Sequence, residues 1–309
     1  MNFQPKGFSL VPQNTRIDFI RLRWTTYLIS FSVTIITILS LLTHGLNLGI
    51  DFKGGVLLEI QTKEIANLAQ LREKVAGFDL GDASLQEFGS PHDVLIRIGR
   101  QPGGEEAQTA AVQKIQSSLG EGITLRRVET VGPKMGEELV RNGIQAIIWC
   151  MIAMLIYIWF RFEWHFAVCA IVSLLHDAIA VMGLYTLFGL EFNSQSIVAI
   201  LITVGYSIND TVVIYDRIRE NLRKYKAMPS KELINKSIND TLSRTILTSS
   251  TTLLSLFALY FFGGEVIAEY SLPIIVGISV GTYSSIFLSA PLLLFFNLRL
   301  KKQEENHQA

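Results

Sequence analysis

Six apolar stretches dominate the pattern along the chain, at 24–44, 142–160, 164–190, 192–215, 244–262 and 271–296. Each meets or approaches the ~20 residues that a helix needs to cross the hydrocarbon core of a bilayer. The first follows Arg16, Arg21 and Arg23. It is too long for a typical signal-peptide core and has no A-x-A site after it, so it is read as a retained span. Between the first two stretches, residues 45–139 switch to a different periodicity. Gly54 to Thr62 (GGVLLEIQT) alternates like a strand, and Ala66 to Phe78 has helical spacing. Ser84 to Phe88 and Asp93 to Arg100 are strand-like around a Gly-Ser-Pro turn. Glu105 to Leu119 is an amphipathic helix, and Thr124 to Val131 closes with a strand. The order β-α-β-β-α-β predicts a ferredoxin-like domain. The fold class expected is an α-helical polytopic membrane protein with six transmembrane helices and a small α+β ferredoxin-like extracytoplasmic domain.

Composition supports this division. Of 309 residues, 49% are hydrophobic and only 17% charged, and the mean hydropathy is +0.35. Soluble domains average about 25% charged residues. Disordered tails and whole-chain nucleic-acid binders are thereby excluded. Cys150 and Cys169 both sit in apolar runs, and no CxxC or Cys/His cluster suggests a metal. The net charge of zero is a sum over compartments. Basic residues gather at 1–23 (Lys6, Arg16, Arg21, Arg23), at 216–243 (seven, from Arg217 to Lys236) and in the tail 297–309 (Arg299, Lys301, Lys302). The short segments near Glu191 and around Glu265 and Glu269 contain no Lys or Arg. The positive-inside rule then makes 1–23, the loop 216–243 and the tail 297–309 cytoplasmic, and 45–139 external. That external segment has 14 acidic against 10 basic residues. It lacks a Gly-rich phosphate loop, a nucleophile elbow and a His/Glu metal pattern, so binding or mechanical work is expected of it.

Three residues of fixed charge type fall inside the apolar stretches: Asp177, Asp210 and Arg244. His176 precedes Asp177. An ionised side chain at mid-membrane costs about 2.5–3.5 kcal/mol even on the lenient insertion scale, and such groups pair, face wet cavities or carry protons. Helical spacing puts Thr203, Tyr206, Ser207 and Asp210 on one face of the fourth stretch, beside Asn209. Arg244, Thr248, Thr251 and Ser255 share a face of the fifth. Two such stripes predict a polar path between neighbouring helices, with Asp210, Arg244 and Asp177 as candidate proton-relay groups. A nearby Arg favours the charged form of a carboxylate while burial disfavours it. A static ion pair between Asp210 and Arg244 is the alternative, and His176–Asp177 could equally cap or pair with a neighbouring helix. Asp216, Arg217 and Arg219 read as interface charges.

Gly277, Gly281, Ser285 and Ser289 recur at four-residue intervals in the last stretch, which predicts close helix packing. In the IDFKGG run, Gly54 and Gly55 permit a left-handed turn and Asp51 can satisfy local N–H groups, so a structural junction is expected.

Three runs together resemble the SecF family of protein-export subunits: GIDFKGG (Gly49 to Gly55), the run from Gly189 to Asn221, and Ser243 to Gly264. The His176–Asp177 pair also matches that family's third span. The resemblance implies half of an RND-type bundle, with SecD supplying the other half. It implies SecD, the SecYEG channel and YajC as partners and an unfolded preprotein as client, in a bacterial inner membrane. It further implies proton-driven late export, with Asp210 and Arg244 as the membrane Asp and Arg of that family. No cofactor is expected beyond protons as the coupling ion, and no metal. Other readings are half of an RND-type small-molecule or lipid exporter, and a passive scaffold for channel subunits. An intramembrane enzyme is the weakest, since no GxSxG, GxGD-type aspartate pair or HExxH occurs.

Overall fold

A computed structural model describes residues 12, 15–77, 83–118 and 123–298. Lys6 and the basic tail residues Arg299, Lys301 and Lys302 lie outside the described residues, as do the predicted ends of two helices at Phe78 and Leu119. The chain divides into two compact units. One comprises 1–45, 148–190 and 198–309, and the other 46–147 with 191–197.

The smaller unit is the α/β domain. It contains the short strand β1 (Asn47–Leu48), a single turn α2 (Ile50–Lys53), β2 (Gly55–Thr62), α3 (Leu68–Ala76), β3 (Ala83–Phe88), β4 (Ser90–Ile98), α4 (Gly104–Ser118) and β5 (Ile123–Val131). The four long strands form an antiparallel sheet in the order β3-β4-β2-β5. That is the ferredoxin-like order, so the alternation read from 45–139 folds as expected. Alternate residues Val56, Leu58 and Ile60 of β2 and Val94, Ile96 and Ile98 of β4 are buried with Leu71 and Val75 of α3 and Ala111 and Ile115 of α4. A period-2 apolar face covered by two amphipathic helices explains the fold. The turn between β3 and β4 runs through Gly89 at φ 74°.

Among the described residues, six helices are long and apolar enough to cross a membrane. They are α1 (Arg23–Thr43), α5 (Pro133–Arg161), α6 (Trp164–Phe188), α7 (Ser194–Lys224), α8 (Ser230–Phe262) and α9 (Glu265–Ser284). A π-helical turn, Ser285–Ser289, and the short α10 (Ala290–Leu292) continue α9. A two-residue strand β6 (Glu191–Phe192) precedes α7. Over their most apolar windows α6 and α9 are 56% buried, against 6% for α5 and 11% for α8. Helices α6, α7 and α9 therefore make the centre, and α5 and α8 present mostly outward surface.

The predicted loop 216–243 is a correction. It is helical except around residues 225–229, because α7 runs on to Lys224 and α8 begins at Ser230. The limit at 215 marks only where charge begins. Ile218, Leu233, Ile234, Ile238 and Leu242 keep an apolar stripe on these extensions and are buried with Phe162, Phe166 and Tyr215. The polar faces pair with each other: Arg217 reaches Asp240 at 2.8 Å, and Asn221 Nδ2 donates to Ser237 Oγ at 2.9 Å. Asp216 pairs with Arg161 at 2.7 Å. The α8 extension also fixes the chain before α1. Asn239 Oδ1 accepts from Ile17 N at 2.9 Å, and Asn235 Oδ1 accepts from Phe19 N at 2.9 Å.

Candidate functional site: two buried carboxylates and one helix start

Asp177 lies at the centre of α6 and is 0% exposed. Its Oδ2 accepts from Ser207 Oγ of α7 at 2.6 Å and from Ser284 Oγ of α9 at 2.7 Å. Its Oδ1 lies 3.0 Å from His176 Nδ1. One carboxylate thus ties together three helices, with each oxygen partnered. The approach is possible because α9 has no side chains where α7 comes closest. A Cβ on Gly281 would stand 2.8 Å from Ser207 Cβ, and one on Gly277 would collide with Thr203. The small-residue repeat therefore packs helices, as its spacing predicts. Ser289, from the same repeat, meets Tyr215 Oη at 2.5 Å.

Asp210 lies less than one turn after Ser207 on α7 and is 2% exposed. Ser249 Oγ of α8 donates to its Oδ2 at 3.3 Å. Ser249 Oγ is also 2.8 Å from Thr282 Oγ1 of α9. Thr203, Ser207 and Asp210 make a buried stripe, while Tyr206 is half-buried, bonded to Thr252 Oγ1 at 3.2 Å, and Asn209 is exposed.

The fifth-span stripe takes a different direction from the one expected. Arg244, Thr251 and Ser255 are exposed and Thr248 is half-buried. The hydroxyls of Thr248, Thr251 and Ser255 bond to their own helix at Arg244 O, Leu247 O and Thr251 O. The face of α8 turned toward Asp210 carries Ser249, with Thr245 also buried. Among the described residues no ion pair joins Asp210 to Arg244, although Arg244 is close enough for its charge to act there. Periodicity grouped the four residues of that stripe correctly, but it could not say which neighbour they would face. Ser249, Thr282 and Ser284 are the partners that sequence reasoning missed. Serine and threonine are common in these helices, and nothing in their spacing singles those three out.

The third feature lies in the smaller unit. Asp51 Oδ2 accepts from Ser194 N at 2.8 Å and from the Ser194 hydroxyl. Asp51 therefore serves the first turn of α7, far away in sequence, rather than local N–H groups. Asn193 and Ser196 form a reciprocal capping box at the same turn, with Ser196 N donating to Asn193 Oδ1 at 3.1 Å and Asn193 N to Ser196 Oγ at 3.0 Å. A negative charge at a helix N-terminus is favourable. The strands β1 and β6 pair in parallel just before it, Asn47 with Glu191 and Leu48 with Phe192. The Glu191 carboxylate in turn accepts from Arg97 of β4. Gly54 and Gly55 carry φ of 73° and 136°, and a Cβ on Gly55 would strike Ile98 O. The IDFKGG run is thus a junction that anchors the start of the helix bearing Asp210.

Among the described residues no group of three or more His, Cys, Asp or Glu side chains could hold a metal ion. The arrangement is that of a multi-pass membrane protein whose buried polar groups around Asp177 and Asp210 are hydroxyls and the His176 imidazole. Comparison with known proteins makes this more specific. The model of the protein export membrane protein SecD/SecF C-terminal family matches residues 111–299, and that of the SecD/SecF GG motif matches 39–64. The chain is 41% identical to protein translocase subunit SecF of Rickettsia rickettsii, over 95% of this chain and 96% of that one. It is 43% identical to protein translocase subunit SecDF of Brucella abortus, covering 97% of this chain but 40% of the longer relative. The crystal structure of SecDF from Thermus thermophilus, described as a translocon-associated membrane protein, superposes with a TM-score of 0.82 at 35% identity, covering 93% of this chain and 39% of that one. The chain belongs to the SecD/SecF family of protein-export membrane proteins, and its relatives are named as translocase subunits.

Proposed function

We propose that this chain is the SecF-type half of a proton-driven motor that works with SecD in late preprotein translocation across the bacterial inner membrane. Asp210 is the coupling group, and the observation that carries the reading is its setting. It is a carboxylate buried on the central face of α7, held by the Ser249 hydroxyl and free of an ion pair with Arg244. A buried acid of this kind with a cation nearby, but not locked to it, can gain and lose a proton as the helices shift. Each charge that crosses 100 mV supplies about 2.3 kcal/mol, enough for a few protons to bias a rearrangement costing several kcal/mol.

The outward stripe of α8 supports a partner. Arg244 at the start of an apolar stretch, with Thr251 and Ser255 beyond it, is costly to leave against lipid. A second six-helix half, which SecD would supply, would cover it. The SecYEG channel, YajC and an unfolded preprotein are the further partners this reading assigns. Both termini lie on the cytoplasmic side in it, and the ferredoxin-like domain lies outside, where the emerging chain would meet it. Asp177 is a second protonatable station.

Reconstitution of Asp210→Asn with SecD and the Sec channel tests this. Assembly should survive while stimulation of export by a proton gradient is lost. Full gradient-dependent export by that variant would sink the proposal.

A further inference from the structure

Among the described residues His176 is the one buried titratable side chain bonded to either carboxylate, and the reading of Asp210 leaves it without a task. It is 7% exposed, and its Nδ1 faces Asp177 Oδ1 at 3.0 Å. Its Nε2 is buried without a hydrogen-bond partner. The ring also lines an open, mostly apolar groove of about 580 Å³ between α1 and α6, with Tyr27, Ser30 and Thr34 among its few other polar side chains. Tyr27 Oη, on the same groove, is likewise buried and unpartnered. Two unsatisfied polar atoms on one groove are unusual, because buried polar groups are nearly always bonded.

The tautomer follows from the geometry. An ionised carboxylate only accepts hydrogen bonds, so opposite ionised Asp177 the imidazole must carry its proton on Nδ1. Nε2 is then a bare lone pair. We infer that His176 is the proton shuttle of Asp177, loaded at Nε2. A proton delivered to Nε2 binds there, and the Nδ1 proton passes to Asp177 Oδ1. The products are a neutral imidazole protonated on Nε2 and a neutral carboxyl, so charge and protons balance. The reverse transfer restores both groups. Imidazole suits this task because its two nitrogens can take and release protons on opposite sides. Neutralising Asp177 also weakens its hold on the Ser207 and Ser284 hydroxyls, since bonds to an ionised acceptor are the strong ones. Proton arrival therefore loosens α6 from α7 and α9.

The other titratable groups on the packed elements include Arg23 and Tyr27 of α1, Tyr206, Asp210 and Tyr215 of α7 and Tyr283 of α9. None of them is within hydrogen-bond or ion-pair distance of His176 or Asp177 among the described residues. The nearest competing acid, Asp210, has its own partner in Ser249.

This inference rests on Asp177 being protonatable, and the experiment separates the two ideas. The full chain, assembled with SecD in proteoliposomes, is followed by infrared difference spectroscopy after a pH jump. The carboxyl bands of Asp177 and Asp210 are assigned with Asp177→Asn and Asp210→Asn. In His176→Gln the Asp177 band should appear about tenfold more slowly or worse. The Asp210 band should keep its rate, and added imidazole should restore the Asp177 rate. An unchanged Asp177 rate in His176→Gln overturns the shuttle. Absence of any Asp177 band in the unmutated protein overturns the second station and the shuttle with it, leaving Asp210 untouched. If His176→Gln fails to assemble, isotope-labelled histidine in the unmutated protein gives the same decision. The imidazole bands must convert from the Nδ1–H to the Nε2–H tautomer together with the Asp177 band, and a constant tautomer rules the shuttle out.

Discussion

Asp177 and Asp210 are both aspartates buried among the central helices, yet they are held in opposite ways. Asp177 has both oxygens occupied, by a histidine on its own helix and by serines of two others. Asp210 has a longer bond from Ser249, with the Thr282 hydroxyl also acting on it, and a cation nearby that does not pair with it. The first arrangement fastens three helices at one point. The second leaves a carboxylate whose surroundings can change without dismantling the bundle. Two residues of the same type, less than one turn apart in their reach along α7, thus divide fastening from switching, and the division is made by hydroxyls on neighbouring helices.

The contrast can be broken most directly at Asp177. Asp177→Ala strands two serine hydroxyls and an imidazole and opens a cavity. Unfolding of the purified chain in detergent should show a loss of about 3 kcal/mol. A loss no greater than for Asp210→Ala would erase the distinction. Sharpening it needs the serines. Bonds between membrane helices average about 0.6 kcal/mol and reach about 1.7. Ser207→Ala should fall near the upper value because its acceptor is a carboxylate at 2.6 Å, and Ser249→Ala near the average. Equal effects in the same unfolding assay would mean that the two sites are held alike. The smallest effect belongs to the junction. Asp51→Ala should cost about 1 kcal/mol, the usual value of a helix cap, because the Asn193–Ser196 box remains. Hydrogen exchange should quicken at the first turn of α7 and nowhere near Asp177. Unchanged exchange there would remove Asp51 from the capping role.

Much of this was legible in the chain. A run of apolar residues long enough for a bilayer has few alternatives, and the strand alternation of 54–62 and 93–100 fits one sheet order once two helices must cover one face. Asp177, Asp210 and Arg244 stood out because charge in an apolar stretch is costly wherever the stretch packs. Other features were not legible. Helix ends were placed too early at 215 and too late at 244, since apolar content stops marking a helix that continues with one wet face. The stripe of Arg244, Thr248, Thr251 and Ser255 was correct as a face, but its outward direction depends on how α8 is rotated against α9. Asp51 was read as serving its own turn, whereas its partner is Ser194.

The sequence by itself therefore determined the number of spans, the ferredoxin-like order and the identity of the charged residues in the apolar stretches. These follow from chain-local quantities, namely apolar length, periodicity and the solvation cost of a charge. Tertiary structure alone decided which hydroxyls serve which carboxylate, that Arg244 faces outward, and that a turn after the first span holds the start of α7. A hydrogen bond requires two groups within about 3 Å. Helical spacing says which side chains share a face, and only packing says what stands opposite.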